Sequence, residues 1–142
     1  MPDLFTRLLL LKKAPIFSDI EMEDLRLVAQ VMEEVPCFRG ELVFAMGDLS
    51  DRMYIIDTGT IGIALTKTPT EKDVKFKMGP TDCFGEMGMF NDSPRSASAL
   101  VLESGMLLAL GKEKLKALIM RHPELAIGLL KTLSIRLRDA HS

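Results

Sequence analysis

The middle of the chain constrains its fold most strongly, because short apolar stretches alternate there with turn residues. Between Val35 and Leu110, glycines at positions 40, 47, 59, 79 and 105 separate stretches that have the length of β-strands. Regular short strands with turn signals every eight to twelve or so residues are typical of an antiparallel sandwich or barrel. We therefore expect a mainly β protein built on a β-roll or jelly-roll. The apolar stretches are Leu42–Ala45, Met53–Ile56, Ile61–Leu65, Val74–Met78 and Met106–Leu110.

Two helices are predicted before the strands. Leu4–Lys13 reads as a short helix that ends ahead of Pro15, since the residue before a proline disfavours helical backbone. A second helix is expected from about Asp19 to about Glu33, where Ser18 and Glu21 have the spacing of a capping box. Its apolar residues recur at helical spacing and predict a buried stripe of Ile20, Leu25, Val28 and Val31.

Two further helices are predicted after the strands, Lys112–Arg121 and Pro123 to about Ala140. Proline suits the first turn of the second helix. One apolar stripe on that helix should pack on the barrel or on a partner helix, and packing on the parent domain is the simpler expectation. These terminal helices are also where a second copy or an effector domain would make contact. The stripe consists of Ala126, Leu130, Leu133 and Leu137.

Length, charge and cysteine content narrow the class of protein. A chain of 142 residues fits one domain, with helices at 1–34, a β-roll at 35–110 and helices at 111–142. The net charge of −2 argues against nucleic-acid binding by this chain alone. Cys37 and Cys83 are too few for a disulfide framework, and we assign neither a chemical role. The apolar run Leu8–Leu11 is too short for a membrane span, so we expect a soluble, cytoplasmic protein.

The segment 84–99 contains the groups that an anionic ligand needs. Gly85 and Gly88 let backbone amides approach a ligand closely, and a short helical turn near Glu86 would point its free N–H groups at an anion. Arg95 offers a planar fork of donors for phosphate oxygens, and the hydroxyl of Ser96 can donate beside it. This part of the site should bind an anion.

Glu86 indicates that the ligand also carries a hydroxyl group. An ionised carboxylate only accepts hydrogen bonds and would repel a phosphate. A carboxylate placed a few ångströms from an anion held by Arg95 fits a ribose 2′-hydroxyl next to a cyclised phosphate.

The segment resembles the phosphate-binding cassette of the cyclic nucleotide-binding family, which opens with Phe-Gly-Glu and closes with Arg-Ser/Thr-Ala. Here these motifs are Phe84-Gly85-Glu86 and Arg95-Ser96-Ala97. The resemblance covers about Leu10 to Ala140 and includes Pro15-Ile16-Phe17-Ser18, Gly47-Asp48, Asp51–Ile56 and Gly59-Thr60-Ile61. Met87 stands where leucine or isoleucine is usual, and Gly88 where many members have alanine.

The resemblance implies roles for individual residues. Glu86 would bind the ribose 2′-hydroxyl and Arg95 the cyclic phosphate. The ligand would be cyclic AMP, with cyclic GMP as the alternative, and no cofactor is implied. The predicted binding residues are Phe84, Gly85, Glu86, Met87, Arg95, Ser96 and Ala97, and no residue is predicted to be catalytic or to bind metal.

Three alternatives remain. A cupin-type metal enzyme would share the cupin-like double-stranded β-helix, but cupins normally use strand histidines, and 35–110 contains none. A transcription regulator of the catabolite-activator type would need a helix-turn-helix beyond Ser142, so this chain would be its ligand-sensing part. The third alternative is a binding-dead interaction domain, which would have the same fold as a cyclic nucleotide sensor but would not bind the ligand.

Overall fold

A computed structural model describes residues 3–86 and 88–140, and within them six strands form one antiparallel sheet. The strand order is β1-β6-β3-β4, while β2 pairs with β6 and β5 pairs with β3. The predicted antiparallel jelly-roll is confirmed. The strands are β1 Glu33–Cys37, β2 Leu42–Phe44, β3 Arg52–Ala64, β4 Val74–Met78, β5 Cys83–Phe84 and β6 Ser98–Gly111.

Two long strands replace several of the predicted short ones. β3 and β6 pair along most of their 13 and 14 residues, with register shifts between Ile56 and Ile61. Gly59 has a φ of +101°, and a Cβ on Gly105 would lie 2.1 Å from the carbonyl oxygen of Thr58. These two glycines therefore form an irregularity inside one continuous strand pair, and the prediction that they separate strands was wrong.

The helices cover one side of the sheet. They are α1 Leu4–Lys13, α2 Met22–Val31, α3 Lys112–Arg121 and α4 Glu124–Ala140, and a 3-10 turn spans Pro15–Phe17. The bounds of α1, α3 and α4 agree with the prediction to within one residue.

α2 begins later than predicted, because the capping box does not form. The Ser18 hydroxyl donates to the carbonyl oxygen of Pro15 at 3.0 Å, and Ser18 belongs to the turn that follows the 3-10 segment. Ile20 in this turn is buried, as are Leu25 and Val28, while Val31 is half-buried.

The packed face of α4 also differs from the prediction. Leu130 and Leu137 are 64% and 62% exposed, so the predicted stripe does not face the barrel. A Cβ on Gly128 would lie 2.9 Å from Cγ1 of Ile20, which shows that the helix is closest to the domain on the Gly128 face. The buried residues of α4 are Leu125, Leu129 and Thr132.

Two apolar clusters hold these layers together. One fills the barrel between β1, β3 and β6, and the other joins the helices to the outer face of β3 and β6. Within 3–86 and 88–140, no helix combines the length and hydrophobicity needed to cross a bilayer.

Candidate functional site

The segment 84–99 borders a cavity of about 180 Å³ that residues of β2, β3 and β4 also line. Six of the seven predicted site residues line it together, although they come from two parts of the segment. Met87 lies outside the described residues. The six are Phe84, Gly85, Glu86, Arg95, Ser96 and Ala97.

Arg95 is fixed in place although its side chain is long. It is 5% exposed, its Nη1 donates to the carbonyl oxygen of Gly85 at 2.9 Å, and its Nη2 donates to that of Arg52 at 2.6 Å. Its Nε has no hydrogen-bond partner among the described residues. Because a buried donor without a partner is costly, this nitrogen suits an acceptor supplied by a ligand.

The surroundings of Arg95 favour a second negative charge. The guanidinium carbon lies 4.0 Å from the ring centroid of Phe44, and Nη2 is 4.0 Å from a carboxylate oxygen of the exposed Asp51. Burial lowers the pKa of the Arg95 side chain, so its charge is poorly compensated by solvent. An anion in the cavity would compensate it.

The backbone of Arg95 is held by the turn between β2 and β3. Its N–H donates to the carbonyl oxygen of Asp48 at 2.8 Å, and its own carbonyl accepts from the Gly47 N–H at 2.8 Å. Gly47 has a φ of +93°, which glycine adopts readily. The Gly47-Asp48 pair singled out in the sequence thus positions the arginine.

Both cassette glycines are required sterically. Gly85 has a φ of +77°, and a Cβ there would lie 2.7 Å from Nη1 of Arg95. At Gly88 a Cβ would lie 2.0 Å from the hydroxyl oxygen of Ser50. The Met89 N–H donates to the Glu86 carbonyl at 3.1 Å, while the predicted helical turn near Glu86 includes Met87, which lies outside the described residues.

Glu86 is half-buried at the cavity wall and has an unexpected neighbour. The thiol of Cys83 donates to Oε2 of Glu86 over 3.8 Å. Burial, followed by the charge of Glu86, raises the pKa of this thiol, which keeps it protonated. No local signal in the sequence pointed to this contact.

Apolar side chains from β3 and β4 form another part of the cavity wall, and the sequence reasoning missed them. Phe76 and Met78 alternate with lysines along β4, and Ile63 pairs opposite Phe76. That alternation was a usable signal, because it places one apolar face of β4 toward a single side. These residues give the cavity an apolar side.

Ser98 uses its hydroxyl for hydrogen bonds within the protein and not for the cavity. It is fully buried, its hydroxyl donates to the Thr66 carbonyl at 2.5 Å, and it accepts from the Met46 N–H at 2.8 Å.

In the part of the chain that is described, no group of three or more His, Cys, Asp or Glu side chains could hold a metal ion.

The site therefore combines a buried cation, a carboxylate and an apolar wall. A family model described as the cyclic nucleotide-binding domain matches residues 35–122. The chain belongs to the cyclic nucleotide-binding domain family. The predicted family membership is confirmed, and the matched residues include the whole cassette.

Two curated relatives and one solved structure show how far the likeness to other family members extends. The CRP-like cAMP-activated global transcriptional regulator of Mycobacterium tuberculosis is 32% identical over 133 residues, which are 94% of this chain and 59% of that protein. The cyclic AMP receptor protein of Thermus thermophilus is 32% identical over 130 residues, 92% of this chain and 60% of that protein. The chain thus spans about three fifths of these relatives.

The solved structure is the N-terminal domain of a transcriptional regulator from Streptomyces coelicolor A3(2). It is 30% identical, with a TM-score of 0.82, and the match covers 92% of this chain and 94% of that chain. Its likeness extends over the strands and the flanking helices.

Proposed function

We propose that this chain is a non-enzymatic regulatory domain that binds 3′,5′-cyclic AMP. Arg95 binds the cyclic phosphate, and Glu86 accepts a hydrogen bond from the ribose 2′-hydroxyl. The observation that carries the proposal is the buried guanidinium of Arg95, with an unused donor among the described residues, in the same cavity as the Glu86 carboxylate. A ligand with both an anion and a neighbouring hydroxyl satisfies both groups.

The hydrogen-bond donors proposed for the phosphate are already held in place by the protein. Nη1 and Nη2 of Arg95 each use one hydrogen on a backbone carbonyl, so each keeps a second hydrogen for the ligand. Ser96 is exposed at the same wall and adds a hydroxyl, while Gly85 lets the backbone approach. Phe84 and Ala97 shape the wall, and Met87 remains part of the predicted site.

The base is assigned to the apolar side of the cavity. Ile63, Phe76 and Met78 offer the flat, apolar contact that a purine needs. The two curated relatives are named for cyclic AMP, which favours adenine. Cyclic GMP is the second candidate, because Ser96 can serve either nucleotide.

Ligand binding is proposed to move the terminal helices. Lys112, the first residue of α3, donates from Nζ to the carbonyl oxygen of Asn91 and lies 3.2 Å from Oδ1 of Asp92. The cassette is thus tied directly to the start of α3, and tightening of the cassette around phosphate would displace that helix.

The exposed leucines of α4 and the names of the two curated relatives support a proposal for the partner that receives the signal. α4 leaves Leu130 and Leu137 exposed, so a second copy of the chain or an effector domain could cover them. The two curated relatives and the structural neighbour are named as transcriptional regulators or as a receptor protein. Ligand sensing in a regulator of that type is the proposed context, with DNA binding left to other parts of the protein.

Calorimetry with cyclic AMP, cyclic GMP and cyclic di-GMP in parallel tests the binding proposal. We expect saturable one-to-one binding that is tightest for cyclic AMP. Glu86→Ala should weaken binding of cyclic AMP, and 2′-deoxy cyclic AMP should bind this variant almost as well as cyclic AMP does. No heat from any of the three nucleotides would favour the binding-dead alternative, and fully additive losses would exclude Glu86 as the hydroxyl acceptor.

Elemental analysis tests the enzyme alternative. We expect no stoichiometric transition metal and no hydrolysis of cyclic nucleotide, because the proposed site supplies neither a ligand set nor an activated nucleophile. A one-to-one content of iron, manganese or zinc that is lost on mutation of strand residues would support a cupin-type enzyme.

A further inference from the structure

The direction of the Cys83 side chain is set by the sheet. In β5, Cys83 pairs with Ile55 and Phe84 pairs with Tyr54. Neighbouring residues of a strand point to opposite faces. Phe84 enters the barrel cluster, where its ring stacks on Tyr54 at 5.2 Å, while Cys83 packs against the cluster that joins the helices to the barrel.

The thiol of Cys83 can act toward Glu86 only as a donor. An ionised carboxylate has no proton to give, so the 3.8 Å contact runs from Sγ–H to Oε2. A thiol is a weak donor, but the raised pKa of Cys83 keeps it protonated. One oxygen of Glu86 is therefore held by the protein.

A second small cavity lies on the other side of this contact. It measures about 30 Å³ and is lined by Pro15, Ile16, Cys83, Glu86 and Arg136. Cys83 and Glu86 also line the larger ligand cavity, so the thiol–carboxylate pair forms part of the wall between the two. Arg136 brings a positive charge from α4 to the rear of this wall.

We propose that Cys83 is a positioning residue for Glu86. Through Glu86 it sets how strongly the site prefers a ribose over a 2′-deoxyribose. The thiol holds Oε2 and leaves Oε1 to accept the ligand hydroxyl. A carboxylate that is already restrained loses less freedom on binding than one that rotates. The role rests on the proposed function, since it requires Glu86 to bind the ribose.

The test compares the dissociation constants for cyclic AMP and 2′-deoxy cyclic AMP by calorimetry. Cys83→Ala and Cys83→Val remove the donor, the second while largely filling the space, and Cys83→Ser keeps a donor. Cys37→Ala is the matched control, because Cys37 is the other cysteine and lies buried in the barrel. General loosening of the site raises both constants together and leaves their ratio unchanged.

We expect the dissociation constant for 2′-deoxy cyclic AMP divided by that for cyclic AMP to fall about threefold or more in Cys83→Ala and Cys83→Val, in keeping with one weak hydrogen bond. Cys83→Ser and Cys37→Ala should keep the ratio of the unmodified protein. An unchanged ratio in both donor-less variants overturns the role of Cys83 while leaving cyclic AMP binding intact. Failure of the unmodified protein to bind either nucleotide overturns the proposed function instead.

Discussion

Arg95 and Lys112 bind adjacent carbonyl groups at the start of β3. Nη2 of Arg95 donates to the carbonyl of Arg52 at 2.6 Å, and the backbone N–H of Lys112 donates to that of Asp51 at 2.8 Å. Arg95 is the residue proposed to bind the phosphate, and Lys112 is the first residue of α3. Both therefore bind to the same short segment of the chain. If the coupling proposed above exists, this shared segment is a direct route for it.

Replacement of Lys112 by methionine should uncouple the terminal helices from the cassette. The apolar side chain keeps the length but loses the bonds to Asn91 and Asp92, while the backbone bond to Asp51 remains. We expect cyclic AMP to change amide hydrogen exchange at 112–140 in the unmodified protein and much less in Lys112→Met. Lys114→Met, which loses an exposed pair with Glu33, should behave like the unmodified protein. Equal responses in all three proteins would contradict the coupling role of Lys112.

Replacement of Arg95 by alanine should weaken cyclic AMP binding by about 30-fold or more, which corresponds to about 2 kcal/mol. The phosphate loses its charge-assisted donors, and Arg95→Lys should recover only part of the loss because it lacks the planar fork. Calorimetry measures both variants against Arg39→Ala, which removes an exposed arginine paired with Glu71. Wild-type affinity in Arg95→Ala would rule out Arg95 as the phosphate ligand.

Gly105→Ala should destabilise the fold by about 2 kcal/mol, in the range seen for overpacked sites. The added methyl group would meet the backbone of Thr58 at 2.1 Å, and a backbone neighbour cannot rotate away. Urea denaturation measures the loss. Gly79→Ala is the matched control, since a Cβ there has no atom within 4 Å among the described residues, and its effect should stay within about 0.5 kcal/mol. Equal stability of the two variants would argue against the close approach of β3 and β6.

Alkaline pH should destabilise the protein partly through Cys83. Burial and the charge of Glu86 raise the pKa of this thiol above its ordinary value of 9.0, so above that pH the unfolded chain releases a proton that the folded chain retains. The free energy of unfolding then falls as pH rises, by about 1 kcal/mol between pH 8 and pH 10 for one such thiol. Urea denaturation at both pH values should show a smaller loss for Cys83→Ser. The same loss in both proteins would mean that the thiol titrates alike in the folded and unfolded states.

The cassette could be predicted from the sequence because its residues lie within one short segment of defined chemistry. Glu86 and Arg95 are nine positions apart, and both reach the same cavity. The rest of the site depends on pairings between distant parts of the chain. Phe44 beneath Arg95 and the Arg52 carbonyl beside it follow from the folded sheet, and neither has a local pattern.

The expectation that the predicted stripe of α4 packs on the parent domain was wrong for a related reason. Apolar residues occur on most sides of this helix, so periodicity alone cannot choose among them. Gly128 determines which face of α4 packs on the domain, because it allows close contact with Ile20, and Leu125 and Leu129 are buried on the same side. Likewise, the burial of Ile20 and the turn at Ser18 prevail over the local capping signal.

The stack of Tyr54 on Phe84 gives the molecule a native optical reporter. Tyr54 is the one tyrosine of a chain without tryptophan, and it is only 3% exposed. Its ring lies 5.2 Å from that of Phe84, the first residue of the cassette, and the Arg52 guanidinium is 5.5 Å from its centroid. Tyrosine fluorescence, excited at wavelengths that phenylalanine does not absorb, thus originates from a single side chain in contact with the cassette, and emission can follow events there without a dye or an added label.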